Sequence, residues 1–105
     1  MSSNLLSAHR AANVTVARVT APRLDSSNSQ ALGRQLSELA GERHLRLDLA
    51  AVEYLSSEPL GKLIALHKTM QSVGGKLVLE NVRPTAYEVF AVTQLTRVLD
   101  IIRAA

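Results

Sequence analysis

The sequence predicts an α/β fold in which a mixed, mostly parallel β-sheet of about four to five strands packs against three to four helices. Residues 44–49 alternate polar residues with leucines, which is typical of a strand with one buried face. Two other segments, residues 32–40 and 59–73, carry apolar residues at helical spacing instead. Because strands and helices alternate along the chain, right-handed crossovers are expected to join mainly parallel strands.

Length and composition favour a single domain over residues 1–105. A chain of 105 residues, 47% of them apolar, is long enough to bury one core and too short for two domains. The aromatic residues are two tyrosines and one phenylalanine, so the core is expected to be aliphatic. The absence of cysteine excludes disulfides, thiolate metal sites and a cysteine nucleophile.

Charge and hydropathy argue against nucleic-acid binding, secretion and membrane insertion. The net charge is +3, but the basic residues are scattered among acidic ones, so we expect no direct binding of nucleic acid. The first 25 residues lack a long apolar run, which argues against a cleaved signal peptide. No segment approaches the roughly 18 to 20 apolar residues that cross a bilayer. These features predict a cytoplasmic protein without membrane insertion.

The N-terminal third of the chain predicts two strands and a helix. Strand-like segments at residues 5–10 and 14–20 are separated by a turn near Asn13, which predicts a hairpin and hence an antiparallel element in the sheet. Residues 24–29 are rich in capping side chains, so the first helix is expected to begin there. Its apolar stripe and its expected C-terminal cap are Leu32, Leu36, Leu39, Ala40 and Gly41.

The rest of the chain predicts two further strand–helix units. The second helix is expected over residues 59–73 and is ended by two glycines, after which residues 77–79 form a buried strand. Pro84 is expected to open a third helix, and residues 98–102 to form a short strand or turn. The inward faces of the second and third helices are predicted to carry Leu60, Leu63, Ile64, His67, Met70, Ala86, Val89 and Phe90.

Two adjacent hydroxyls, Ser56 and Ser57, follow the predicted loop at residues 50–55. Pro59 disfavours helical angles at Glu58, so Pro59 is predicted to be the first helical residue and Glu58 the cap. Ser57 would then lie just outside the helix with a free hydroxyl, where the positive helix end favours a phosphate. Glu58 would oppose that phosphate with a like charge. The alternative is an ordinary capping role for one of the two serines.

Asp25 shares its sequence context with Ser57, because it also follows a strand and precedes a helix. In a parallel sheet both residues would lie at the C-terminal edge, where ligand and partner sites are common. Taken alone, an aspartate at this place is a turn or cap residue, and this alternative stays open.

The sequence predicts no catalytic, metal or cofactor site. The three histidines, His9, His44 and His67, share no spacing typical of metal ligands. Neither a Gly-x-Ser-x-Gly elbow nor a Gly-x-x-x-x-Gly-Lys phosphate loop is present. We therefore expect a binding protein and not an enzyme.

Several separated motifs, in order along the chain, resemble the STAS domain family, and its single-domain anti-sigma factor antagonists in particular. The family pattern joins Leu-Asp-Leu-Ser to Asp-Ser-Ser-Gly-Leu-Gly through an apolar loop, and here the two parts read Leu-Asp-Leu-Ala at 47–50 and Ser-Ser-Glu-Pro-Leu-Gly at 56–61. Leu-Asp at 24–25, Gly-Gly-Lys-Leu-Val-Leu-Glu-Asn-Val at 74–82 and Gln-Leu-Thr-Arg-Val at 94–98 also resemble family segments. The resemblance covers residues 5–102 and implies a STAS-like fold.

The resemblance also implies a mechanism. An antagonist of this type binds an anti-sigma factor that is a serine kinase, which frees the sigma factor. The kinase then phosphorylates the serine at the start of the second helix and breaks the complex, and a serine phosphatase resets the cycle. Ser57 aligns with the acceptor serine and Asp25 with a nearby loop aspartate. The partner-binding residues implied are Asp25, Ser56, Ser57, Glu58, Gly61 and Lys62.

The sequence departs from the family pattern on both sides of the acceptor. Ser56 stands in place of the usual aspartate, and Glu58-Pro59 in place of Ser-Gly. Two functions are therefore compatible with the resemblance: a phosphorylation-switched antagonist in sigma-factor control, or a STAS scaffold that never cycles, in a signalling complex or on a lipid transporter. The oligomeric state, the stimulus and the partner's identity do not follow from the sequence.

Overall fold

The structure, a computed structural model, describes residues 4–104. This part of the chain forms seven strands, three α-helices and one short 3-10 helix. In chain order they are β1 (Leu6–Ala11), β2 (Val14–Val19), β3 (Arg23–Leu24), α1 (Ser29–Ser37), β4 (His44–Asp48), β5 (Tyr54–Leu55), α2 (Ser57–Ser72), β6 (Lys76–Val82), α3 (Pro84–Val92), the 3-10 helix (Leu95–Arg97) and β7 (Asp100–Arg103).

The main sheet has five strands in the order β1-β2-β4-β6-β7. Only the β1–β2 pair is antiparallel, and the other three pairs are parallel. The predicted mixed, mostly parallel sheet of the α/β class is thus confirmed. Strands β3 and β5 form a separate two-stranded parallel sheet that was not predicted, since residues 50–55 were expected to form a loop and Leu24 to belong to the start of the first helix.

One face of the main sheet carries the core. Along β4, Leu45 and Leu47 are buried, whereas His44 and Arg46 are exposed on the opposite face. Phe90 is the sole aromatic residue in the buried core of the described chain, so that core is otherwise aliphatic, as composition predicted. Seven further helix residues are buried against this face: Leu32, Leu36, Leu60, Leu63, Leu66, Met70 and Ala86.

The inward face of α2 differs from the prediction at two positions, because Ile64 and His67 are half-buried and not part of the buried stripe. Leu63 is buried, at 1% exposure, but Ile64 is only half-buried and Leu66 takes its place in the core. The buried positions follow Leu60 at intervals of three and four residues, which is the stripe of a helix packed on a sheet. Adjacent Leu63 and Ile64 point about 100° apart on a helix, so they could not both lie at its centre.

The helix ends were predicted with unequal success. α2 ends where predicted, because Gly74 adopts a φ of +79° and the N–H of Gly75 donates to the carbonyl of Met70 at 2.7 Å. In contrast, α1 ends at Ser37, and Gly41 lies in the turn that follows instead of capping the helix. The prediction of Gly41 as a cap was wrong, because Leu39 and Ala40 extend the apolar pattern beyond the helix and remain half-buried.

Glu42 ties the β1–β2 hairpin to the connection between α1 and β4. Its carboxylate accepts a hydrogen bond from the hydroxyl of the buried Thr15 and one of 2.6 Å from the guanidinium of Arg10. These bonds, first Thr15 and then Arg10, hold the pKa of Glu42 below its ordinary value of 4.5.

A lowered carboxyl pKa predicts a loss of stability in acid. The contribution of Glu42 is present above pH 4.5, the ordinary value, and is lost as the pH falls through the lower pKa of the folded state. Glu42→Gln should therefore show a flatter dependence of unfolding free energy on pH below 5, measured by urea titration at several pH values. Glu38→Gln, a change at an exposed glutamate, is the control. Identical slopes for Glu42→Gln and the unmodified chain would contradict the assignment.

Candidate functional site

The small β3–β5 sheet builds the candidate site. Arg23 pairs with Tyr54 and Leu24 with Leu55, and the N–H of Ser56 donates to the carbonyl of Leu24 at 2.9 Å. This pairing sets the turn that begins at Asp25 beside the start of α2. The two segments predicted to meet at a sheet edge do meet, although on the small sheet and not on the main one.

The start of α2 corrects the predicted cap. The helix begins at Ser57, with Ser56 as its N-cap in an extended conformation, so Glu58 is not the cap and Pro59 is the third helical residue. Proline is tolerated there because the first N–H groups of a helix have no intrahelical partner. Pro59 is also buried, so packing favours this arrangement. The assignment of Ser57 to a place outside the helix was therefore wrong.

The two serines differ in exposure at the tip of α2. Ser57 is exposed and Ser56 is half-buried. Within residues 4–104, no hydrogen bond engages either hydroxyl, so Ser56 occupies the N-cap position without a side-chain capping bond. The hydroxyl of Ser57 is thus free, as predicted, although it lies inside the first turn of the helix.

Glu58 connects α2 to α1. Its carboxylate accepts a hydrogen bond of 3.0 Å from the hydroxyl of Ser29, the first residue of α1, which is 4% exposed. A carboxylate in this position lies near the positive ends of two helices, where negative charge is stabilised. The role of Ser29 was not predicted, because nothing in sequence spacing relates two residues that are 29 positions apart.

Asp25 organises the turn that leads into α1. One of its carboxylate oxygens accepts from both the N–H of Ser27, at 3.0 Å, and the hydroxyl of Ser27, at 2.5 Å. The other oxygen lies 3.7 Å from the guanidinium of Arg23. The hydrogen bonds from Ser27, and after them the charge of Arg23, lower the pKa of Asp25, so this residue carries a negative charge at neutral pH. These contacts agree with the alternative in which Asp25 is a turn residue.

Gly61 and Lys62 lie on the second turn of α2, next to α1. The side chain of Lys62 crosses Gly33 of α1 so closely that a Cβ at Gly33 would lie 2.9 Å from the lysine Cδ. Lys62 also lines a groove of about 440 Å³ between the two helices, together with Ser29 and Glu58. The groove therefore has one acidic and one basic side chain in its wall, and the acidic one, Glu58, follows Ser57 in the chain.

An exposed arginine–tyrosine pair borders the site and was missed in the sequence. The guanidinium of Arg23 lies 4.3 Å from the ring centre of Tyr54, and the tyrosine is 45% exposed. Such a pair combines a flat apolar surface with charge, and arginine and tyrosine are enriched among the strongest contributors to protein interfaces. Strands of two residues show no alternation, so no sequence signal marked this pair.

Gly61 provides a test of the site that separates binding from stability. Its φ is not positive and a Cβ there would meet nothing within 4 Å, so nothing in the described chain requires glycine at this position. Gly61→Ala should raise the free energy of unfolding by about 0.5–1 kcal/mol, as alanine does within helices. If a partner packs against this face, the same variant should bind more weakly. Urea unfolding and calorimetric titration measure the two effects.

Gly41→Ala is the matched control for this variant, since a Cβ there also meets nothing within 4 Å, and Gly41 lies outside the site. It should leave binding unchanged. A destabilised Gly61→Ala would contradict the geometry of α2 described above.

The described residues contain no group of three or more histidine, cysteine or acidic side chains that could hold a metal ion. No helix in the same part of the chain is long and apolar enough to cross a membrane.

Comparison with solved structures relates this fold to known proteins. An anti-sigma factor antagonist (STAS) domain protein from Planctomyces limnophilus superposes with a TM-score of 0.84 at 21% identity, over 95% of this chain and 91% of that one. The Bacillus cell fate determinant SpoIIAA in its phosphorylated form superposes with a TM-score of 0.67 at 17% identity, over 91% of this chain and 89% of SpoIIAA. At these identities the likeness shows a shared fold.

Sequence comparison identifies the family. BtrV of Bordetella bronchiseptica, a protein that carries the name of an anti-sigma factor antagonist, is 33% identical over 72 residues. The alignment covers 67% of this chain and 62% of BtrV, which is less than two thirds of that protein. Residues 6–104 match the STAS domain along nearly the whole chain. The chain belongs to the STAS domain family.

Proposed function

We propose that this STAS domain is an anti-sigma factor antagonist, a regulatory module that binds an anti-sigma factor with serine kinase activity and is released when that kinase phosphorylates Ser57. The observation that carries the proposal is the hydroxyl of Ser57, which is exposed, free of hydrogen bonds within residues 4–104, and held in the first turn of α2. A kinase needs such a hydroxyl, because a capped or buried one would have to be released before transfer.

The surroundings of Ser57 support a switch based on charge. A phosphate there would carry about −1.5 to −2 charges at neutral pH and would meet the positive end of α2. The carboxylate of Glu58, bound to Ser29, already lies in this turn and would raise the cost of the added charge. Pro59 lacks one of the N–H groups that a phosphate could accept from. The phosphate would thus find too few hydrogen-bond donors in its own chain, and its main effect would be to change the binding of the partner.

The partner surface in this proposal consists of Asp25, Ser56, Ser57, Glu58, Gly61 and Lys62, bordered by the pair Arg23 and Tyr54. It contains negative charge at Asp25 and Glu58, whose carboxylates are held by hydrogen bonds, and positive charge at Lys62, whose side chain crosses Gly33. Before phosphorylation, this surface selects its partners by charge, because a negative side chain of the partner placed opposite Asp25 or Glu58 would weaken binding. A phosphate on Ser57 makes the surface more negative, so it repels acidic side chains of the partner more strongly.

The named relatives support the regulatory role. BtrV carries the name of an anti-sigma factor antagonist, and SpoIIAA has been solved in both unphosphorylated and phosphorylated forms. On this proposal a serine phosphatase restores Ser57, and the domain itself has no catalytic turnover. Hydrolysis by purified protein that disappears in Ser57→Ala would overturn this last point.

The deciding experiment is incubation with the cognate anti-sigma kinase and ATP, followed by intact mass measurement and phosphopeptide mapping. The expected result is a single phosphate on Ser57, which is absent in Ser57→Ala and present in Ser56→Ala. Modification of Ser56 would contradict the choice of acceptor. A chain that binds the kinase but stays unmodified would instead support the scaffold function that does not cycle.

A further inference from the structure

The two edges of the main sheet differ in how they are protected. β7 is four residues long, its register with β6 shifts between Leu79 and Val82, and it carries Asp100 and Arg103. Short length, irregularity and charge are the usual devices that prevent an edge strand from pairing. β1 lacks the first two: it is six residues long, pairs without a register shift, contains neither proline nor lysine, and its residues from Ser7 to Ala11 are exposed. Its arginine, Arg10, forms an ion pair with Glu42 of the same chain.

The hairpin determines which backbone groups of β1 are open. The two residues of the turn, Ala12 and Asn13, are flanked by the pair Ala11 and Val14, and such a turn is closed by a hydrogen-bonded pair. At the other end the N–H of Thr20 donates to the carbonyl of Leu5 at 2.8 Å. Hydrogen-bonded residues alternate along an antiparallel pair, so every second residue of β1 faces β2. The N–H and C=O groups that face outward belong to Leu6, Ala8 and Arg10.

We propose that β1 pairs with β1 of a second copy of this chain, in an antiparallel register centred on Ala8. Ala8 lies opposite Ala8 of the second copy, Leu6 lies opposite Arg10, and Ser7 lies opposite His9. All three outward residues of each strand then exchange their hydrogen bonds, which gives six bonds across a twofold axis. The result is one continuous sheet of ten strands.

Charge and size select this register among the symmetric ones. A register shifted so as to centre on Arg10 would set two arginines directly opposite each other, which is destabilising. One centred on Leu6 joins fewer residues of the two β1 strands, because Ala8 would lie opposite Asn4, which is outside β1. Centring on Ala8 puts the smallest side chains at the axis and packs the stem of Arg10 against Leu6, while its guanidinium stays bound to Glu42 of its own chain.

The pairing leaves the candidate site free. β1 contributes no residue to the partner surface defined above, and the small β3–β5 sheet is separate from the main sheet. A strand pair of this length buries less than about 1,200 Å², which is typical of weak and reversible association. The dimer is therefore expected to form at high protein concentration.

Cross-linking tests the register directly, since the chain has no cysteine of its own. Under mild oxidation, Ala8→Cys should form a disulfide-linked dimer, because opposite residues in a hydrogen-bonded antiparallel pair have Cα atoms about 5.5 Å apart. Ala11→Cys is the matched control on the same strand. Its counterpart lies six residues away in this register, or roughly 20 Å at about 3.3 Å per residue, so it should not cross-link.

Sedimentation equilibrium tests the association without a covalent bond. The weight-average mass of the unmodified chain should rise with concentration from 11.3 kDa towards twice that value. Ala8→Lys should abolish the rise by opposing two ammonium groups at the axis, whereas Ala11→Lys should retain it. Thermal unfolding of both variants confirms that they fold.

A mass that stays at one chain at all concentrations would overturn the proposal. Equal cross-linking of Ala8→Cys and Ala11→Cys, or a dimer that persists in Ala8→Lys, would overturn it as well. These outcomes are independent of phosphorylation at Ser57.

Discussion

Ser57→Asp should bind the anti-sigma kinase at least about tenfold more weakly than the unmodified chain, whereas Ser57→Ala should bind as well as the unmodified chain. A tenfold change corresponds to 1.4 kcal/mol. The aspartate places a new negative charge at an exposed position in the first turn of α2, beside Glu58. Alanine removes only a hydroxyl that makes no hydrogen bond within residues 4–104. Isothermal titration of the kinase with each variant measures the difference.

The aspartate is a partial mimic, because it carries one negative charge where a phosphate carries about −1.5 to −2. The chain phosphorylated at Ser57 in vitro should thus bind the kinase more weakly than the Ser57→Asp variant does. Ser56→Asp is the matched control, since Ser56 is half-buried at the N-cap and aspartate is a favourable N-cap residue. If Ser56→Asp weakens binding and Ser57→Asp does not, the switch residue is misassigned.

Leu63→Ala should lower the free energy of unfolding by roughly 2–5 kcal/mol. Leu63 is 1% exposed at the centre of the buried face of α2, so its truncation removes apolar burial and leaves a cavity. The midpoint of urea unfolding should fall with little change in the slope m, because the folded state stays compact. A loss below about 0.5 kcal/mol would be far under the range for buried leucine and would contradict this orientation of α2.

Ile64→Ala is the natural comparison for this experiment. The two positions are adjacent on one helix, so the change in helix propensity and in the unfolded chain is similar. Ile64 is half-buried, so its truncation should cost less than that of Leu63. The reverse order of the two losses would show that α2 is rotated relative to the packing described here.

The start of α2 shows how local rules and packing interact. From the sequence, the preference of residues before proline for extended angles moved the predicted helix start to Pro59. In the structure Glu58 lies inside the helix, with its side chain bonded to Ser29, and Pro59 is buried. A local preference of this kind is small, and a buried proline together with a contact between helices outweighs it.

The candidate site was predictable in part. The free hydroxyl of Ser57 was predicted from a helix start at Pro59, and the structure has it free within the first helical turn instead. That Ser57 lies near the turn at Asp25 followed from a strand before each residue and a helix after it. The contact of Ser29 with Glu58 and the stacking of Arg23 on Tyr54 did not, because each joins residues about 30 positions apart. No period in the sequence connects such residues.

The sequence by itself determined the α/β class, the strand and helix order, the aliphatic core and the motif that resembles the STAS family. It could do so because alternation, helical spacing and turn chemistry are local patterns that each element must satisfy to bury one face. Only the tertiary structure decided where α2 begins, that β3 and β5 pair, and that β1 lies at the edge of the main sheet. These features depend on contacts between distant residues, and their energies become available only when the whole core has been assembled.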